Sequence, residues 1–170
     1  MIDHVSIAVR DLDRSARFYQ GVLAAIGYEK LVVRPRTIGF GKAYPEFWLN
    51  LRATMAPVEV DGGAHVALRV RTIELVDAFH AAALAAGGTS DGAPGLRPQH
   101  GEGYYAAFIR DPDGNRIEAV TFLKAKEQAH LPPTSARRPP RSSLFPVRKR
   151  NAPPPIVSAK SPRPARPPKA

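Results

Sequence analysis

The sequence predicts an α+β fold: two tandem βαβββ modules, roughly residues 2–55 and 63–123, followed by a disordered tail over 124–170. Three observations carry this. The composition is split, because residues 124–170 hold 12 of the 18 Pro, no Gly, and 12 basic side chains against Glu127 alone. Of the 25 Lys+Arg and 15 Asp+Glu, this leaves 13 basic and 14 acidic residues in 1–123, so the net charge of +10 belongs to the tail and the folded part is nearly neutral. The chain also repeats itself: residues 4–27 and 65–88 align without a gap at an offset of 61, with nine of 24 positions identical. Unrelated segments this rich in Ala would match at about two or three positions, so the two halves read as a duplication. Finally, in each copy the apolar spacing changes from period two to helical.

In the first copy Val5, Ile7 and Val9 alternate with His4, Ser6 and Ala8, the pattern of a strand with one buried face. Helical spacing follows at Leu12, Ser15, Phe18 and Val22, with Asp11 as N-cap and Gly27 as terminator. Strand-like stretches come next at 28–34, 37–41 and 46–52. The second copy opens with Val66, Leu68 and Val70 against His65, Ala67 and Arg69. Its helix runs through Ile73, Val76, Phe79 and Leu84, capped by Thr72 and stopped by Gly88. Strands at 104–110 and 115–122 are joined by DPDGN, whose Pro and Gly suit a tight turn. The tail has few large apolar residues and repels itself, so it cannot bury enough surface to offset its ordering entropy.

Composition also excludes function classes. With no Cys there is no disulfide framework, thiolate nucleophile or Cys-ligated zinc, so a metal must be held by His and carboxylate. The opening MIDHVSIAVRDL is not a signal peptide, and no apolar run approaches the roughly 18–20 residues of a spanning helix. A cytoplasmic protein with no membrane partner is expected. The basic tail could contact polyanions nonspecifically, and its RRPPR and VRKRNAPPP stretches could also meet a proline-recognising domain, although a plain disordered appendage accounts for the composition as well.

The opening HVSIAVRDLDRSARFY, the second start at HVALRV and the closing FIRDPDGNRIEAV resemble the vicinal oxygen chelate superfamily, which includes glyoxalase I, bleomycin-resistance proteins and extradiol dioxygenases. The resemblance covers about residues 2–123 and implies that the sheets of the two modules pair around a concave site. It implies a divalent metal, Fe, Mn, Ni or Zn, held by the His that opens each module and by acids on the last strands. Transferred to this sequence, the ligands are His4, His65 and Glu118. Alternation agrees in direction, since His4 lies opposite Val5, Ile7 and Val9, and Glu118 opposite Ile117 and Ala119. Two imidazoles and one carboxylate can occupy one face of a metal and leave the rest open.

The first module departs from the family pattern. Its acid should lie on 46–52, where either Trp48 or Asn50 falls opposite Glu118, and Glu46 shares their face at the strand's start. Glu118 and His100, in the loop QHGEG, are the candidate catalytic groups, although a plain loop role also accounts for His100. Trp48 and Tyr104 could line a pocket, and Arg69, on the His65 face, could meet an anionic group or a structural acid. The implied function is that of a metal-dependent lyase, isomerase or dioxygenase acting on a small substrate with vicinal oxygens. The alternative is a bleomycin-resistance-type protein that sequesters a small molecule without chemistry. A homodimer is compatible with either.

Overall fold

The computed structural model describes residues 2–60 and 62–128; the segment read as a tail lies, beyond Gln128, outside the described residues. Two strand–helix–three-strand modules follow one another. The first comprises β1 (Val5–Val9), α1 (Leu12–Ala24), β2 (Glu29–Arg34), β3 (Thr37–Gly41) and β4 (Pro45–Leu51). The second comprises β5 (Val66–Arg69), α2 (Ile73–Ala85), β6 (Thr89–Leu96), β7 (Tyr104–Arg110) and β8 (Arg116–Phe122), with a short 3₁₀ turn at Pro98–His100. A final helical turn, α3, spans Ala125–Gln128. Each module forms its own four-stranded sheet, ordered β1-β4-β3-β2 and β5-β8-β7-β6. In each, the opening strand runs parallel to the last, and the other pairings are antiparallel.

The apolar alternation explains the layering. Ile7, Val9, Phe47, Leu49, Ile38 and Phe40 of the first sheet are buried with Phe18, Val22 and Leu23 of α1. The same cluster contains Leu68, Ile109, Ile117 and Ala119 of the second sheet with Val76, Phe79 and Ala83 of α2. Because α1 and α2 also pack on each other, one core serves both modules. Each fully buried Phe, Leu or Ile contributes about 1.5–3 kcal/mol. The opposite face of each sheet is turned away from this core, and those two faces carry the candidate site residues. No helix among the described residues is long and apolar enough to cross a membrane.

Three local expectations are corrected. Asp11 caps α1 by accepting from the Arg14 N–H, but Thr72 makes no side-chain capping bond at α2. In the first module Gly27 takes the left-handed conformation, with φ 80°, and the Tyr28 N–H closes on the Leu23 carbonyl. In the second, that conformation belongs to Gly87, with φ 91°, and not to Gly88. Gly88 is needed for a different reason, because a Cβ there would stand 2.8 Å from both the Arg110 carbonyl oxygen and the Phe18 ring. Strand β6, TSDGAPGL, had no sequence counterpart: it contains two Gly and a Pro, and its pairing with β7 shifts register twice.

The DPDGN turn does more than reverse the chain. Asp111 Oδ1 accepts from the N–H groups of Asp113 and Asn115, while its Oδ2 accepts from the Tyr19 hydroxyl at 2.9 Å. Asp113 accepts from the Arg10 N–H and Nε, each at 3.0 Å, and from Arg14. Asn115 donates to the Ala8 carbonyl. The turn between the last two strands of the second module is thereby fastened to β1 and α1 of the first.

Candidate functional site

Glu118 sits in the middle of β8, between Ala67 on β5 and Phe108 on β7. It faces away from the shared core, yet it is only 1 % exposed. The Tyr104 hydroxyl donates to its Oε1 at 2.6 Å, and the His65 Nε2 lies 3.2 Å from its Oε2. Burial, then the hydrogen bond and charge of Glu118, push Tyr104 up to about 12, so the phenol keeps the proton it donates. His65 immediately precedes β5 and meets Phe108 edge-on, with ring centroids 6.2 Å apart.

These groups open onto a cleft of ≈ 740 Å³. Phe108 is flanked by two guanidinium groups, Arg116 at 4.7 Å and Arg97 at 5.8 Å from the ring centroid. Arg116 is charge-paired with Asp91 at 2.6 Å. Arg97 donates to the carbonyls of Ala93 and Leu96, which fix the guanidinium without neutralising its charge. His100 lines the same cleft, stacked on Tyr104 at 5.3 Å. Arg69 is turned elsewhere, over the Phe122 ring at 4.8 Å.

The first sheet presents a different surface. β1 pairs Ser6 with Trp48, as β5 pairs Ala67 with Glu118, and Ser6 and Ala67 are equivalent in the repeat. Trp48 therefore stands where Glu118 stands in the other module, and Asn50 lies two residues further along, paired with Ala8 and Thr37. The Arg34 guanidinium covers the Trp48 ring at 5.5 Å. Glu46 falls at a bulge, because β3 pairs Gly41 with Pro45 and Phe40 with Phe47. Its carboxylate serves Tyr28, whose phenol is raised by burial and then by the charge and hydrogen bond of Glu46. His4 precedes β1, is exposed, and its Nδ1 contacts Asp3 at 2.7 Å.

The chain thus brings together His65, Glu118, Tyr104 and His100, and leaves His4, Glu46, Trp48 and Asn50 on the other sheet. Among the described residues no group of three or more His, Asp or Glu is close enough to hold a metal ion. The pair that is present nevertheless suits one. Oε2 of a buried carboxylate meets an imidazole nitrogen, and these are donors that zinc, iron, manganese and nickel accept.

Phe108, Arg116, Asp91 and Arg97 were not singled out from the sequence. The first two could have been: a hairpin turning at DPDGN sets Phe108 opposite Glu118, and Arg116 shares the Glu118 face by the period of two. Asp91 and Arg97 belong to β6 and its exit, where no pattern was legible.

Comparison with known proteins agrees with the fold. Residues 1–119 match the family model of the Glyoxalase/Bleomycin resistance protein/Dioxygenase superfamily. A metallothiol transferase, FosB, of Shouchella clausii is 29% identical over 135 residues, covering 79% of this chain and 88% of that protein. A glyoxalase/bleomycin resistance protein from Albidiferax ferrireducens has a structure with a TM-score of 0.60 at 32% identity, covering 69% of this chain and 95% of that one. The fosfomycin resistance protein FosX from Listeria monocytogenes shares the fold at 17% identity, with a TM-score of 0.55 and coverage of 75% and 97%. A repeated βαβββ unit, a His before each opening strand and a family match across both modules together show that the chain belongs to the glyoxalase/bleomycin resistance/dioxygenase, or vicinal oxygen chelate, superfamily.

Proposed function

We propose that this protein is a metal-dependent enzyme acting on a small substrate that carries neighbouring oxygens. In this reading His65 and Glu118 supply two donors of one divalent-metal site, and His4 of a second copy supplies the third. The observation that carries it is the contact of 3.2 Å between the His65 Nε2 and the buried Glu118 Oε2, on a sheet face that lacks His4. A bound divalent ion would supply Lewis acidity, polarising substrate oxygens. Phe108 supplies an apolar wall, and Arg97 supplies positive charge to an anionic part of the substrate. His100, at the rim, is placed to exchange a proton with a bound group.

The place of Trp48 narrows the chemistry. A reaction that needs a carboxylate base from the first module finds an indole there, so glyoxalase-type proton abstraction is disfavoured. Activation of a polarised substrate toward cleavage, oxidation by a co-substrate, or attack by a thiol makes no such demand. The likeness to a metallothiol transferase supports including the last. Sequestration without chemistry is the second reading, favoured by the Arg34–Trp48 and Arg–Phe108 faces, which would hold a flat or anionic ligand with no metal present.

Mixing of defective copies tests the site. His4→Ala and His65→Ala proteins are each expected to lose stoichiometric metal. Unfolded and refolded together, they form mixed dimers in which one site lacks both His and the other keeps both, so about a quarter of the wild-type metal returns. No recovery in mixtures that do form mixed dimers would place both His in one chain's site, and full metal in either single variant would remove that residue from the ligand set.

A further inference from the structure

We infer that Tyr104 is a positioning residue that makes Glu118 a one-oxygen ligand: its hydroxyl occupies Oε1 and leaves Oε2 as the donor beside His65. The inference rests on the metal site proposed above and concerns how much of the metal stays open to substrate. A carboxylate that binds through both oxygens takes two coordination positions, and one that binds through a single oxygen takes one. Here the two oxygens are already distinguished, with the phenol 2.6 Å from Oε1 and the imidazole 3.2 Å from Oε2.

The phenol is itself held from two sides. Tyr104 pairs with Phe122 across the β7–β8 ladder, and their rings meet edge-to-face at 5.2 Å. The His100 ring lies on its other side at 5.3 Å, and Arg69 caps Phe122 at 4.8 Å. A row of four side chains thus crosses the open face of the second sheet and fixes where the hydroxyl points. Glu118 is only 1 % exposed, so within the fold the Tyr104 hydroxyl is the hydrogen-bond donor at its Oε1. An outer partner of a metal-binding carboxylate commonly fixes its orientation, and its loss changes metal affinity or activity about 10–100-fold.

The full-length protein loaded with Mn²⁺ provides the test, read by water-proton relaxivity, which reports waters on the bound ion independently of turnover. In Tyr104→Phe, Oε1 is released and takes a further position, so the variant is expected to carry about one coordinated water fewer than wild type. Its melting temperature should stay close to wild type, since the ring and its packing remain. Phe122→Leu loosens the stack without removing the hydroxyl and is expected to keep the wild-type water number. Equal or higher relaxivity in Tyr104→Phe, or the same loss in Phe122→Leu, overturns the inference. Failure of the wild type to bind Mn²⁺, or any other divalent ion, overturns instead the metal site on which it rests.

Discussion

Removing the Asp113 carboxylate should cost about 3 kcal/mol of stability, because it removes one set of the contacts that fasten the second module's turn to the first module. The side chain is fully buried, and it accepts from the Arg10 N–H, the Arg10 Nε, the Arg14 guanidinium and, at 3.4 Å, the Ser15 hydroxyl. In Asp113→Ala the Arg10 N–H loses its acceptor in a partly buried position, a cost of about 1–3 kcal/mol. The two guanidinium groups are 37% and 43% exposed and can turn to water, so each ion pair counts for no more than about 1 kcal/mol. For a domain of this size 3 kcal/mol corresponds to a fall of roughly 10 °C in Tm. Thermal and urea melts of the full chain read it directly. A fall of less than about 3 °C would show that water replaces the carboxylate and that the apolar core and the Asp111 and Asn115 contacts hold the modules together without it.

The same contacts predict a pH dependence. Burial alone would raise the Asp113 carboxyl, but the hydrogen bonds from the Arg10 backbone and side chain and the charges of Arg14 and Arg10 outweigh it, leaving it below its ordinary value. A carboxyl lowered in the fold stabilises fully above the unfolded value, about 3.9, and loses that contribution as pH falls through the folded one. The gap between wild type and Asp113→Ala should therefore be constant at neutral pH and narrow in acid. Asp111, raised by burial against the hydrogen bonds of Asn115, Tyr19 and Asp113, has the opposite linkage. Its contribution is present in both proteins, so the comparison at each pH largely cancels it.

Gly41→Ala should cost more than about 3 kcal/mol and give little soluble protein, since its Cβ would stand 1.8 Å from the Tyr44 carbonyl oxygen; wild-type melting would contradict this. Gly39→Ala meets the Pro45 Cβ at 2.8 Å and the Trp48 ring at 3.0 Å, so it should quench or shift the single Trp's fluorescence while lowering Tm modestly. A chain ending at Gln128 should melt like the full chain and hold the same metal. Ending at Phe122 should lower Tm, because the Leu123 N–H donates to the Gly103 carbonyl and its side chain packs on the core. Any affinity of the full chain for DNA or RNA should fall steeply with salt and be absent from the chain ending at Gln128; binding that survives in the shorter chain would place it on the folded modules.

How much of the fold was legible followed from how much apolar surface each element buries. β1, β5, α1 and α2 face one core and carry its period openly, and the duplication reinforced each reading. Strand β6 buries little, breaks register twice and, before its final Leu96, is written in Thr, Ser, Asp, Gly, Ala and Pro, so neither alternation nor propensity marks it. It is held by pairing with β7 and by the His80 Nε2 to Ser90 hydroxyl contact of 2.8 Å from α2, and such tertiary terms leave no trace in local sequence. The Gly87–Gly88 step misled for a related reason. Both copies end in Gly at equivalent positions, but the tighter turn after α2 places the left-handed residue one step earlier and reserves Gly88 for contact with Phe18.

The candidate site was legible where it rests on register and opaque where it rests on which chain supplies a residue. Alternation put His4, His65 and Glu118 on the faces away from the core, and DPDGN fixed the hairpin that sets Phe108 against Glu118. The choice between Trp48 and Asn50 needed the parallel pairing of β1 with β4, which no local pattern encodes. With that pairing known, the divergence of the two modules acquires a chemical meaning. One module has a buried acid and a His that touch; the other has a His and, at the position of the acid, an indole under Arg34. If two copies pair the first module of one with the second of the other, a two-fold axis generates two identical sites, each with two His, one acid and one Trp. With Trp48 at the position equivalent to Glu118, each such site would offer three donors to an ion, and the indole would form a wall beside them.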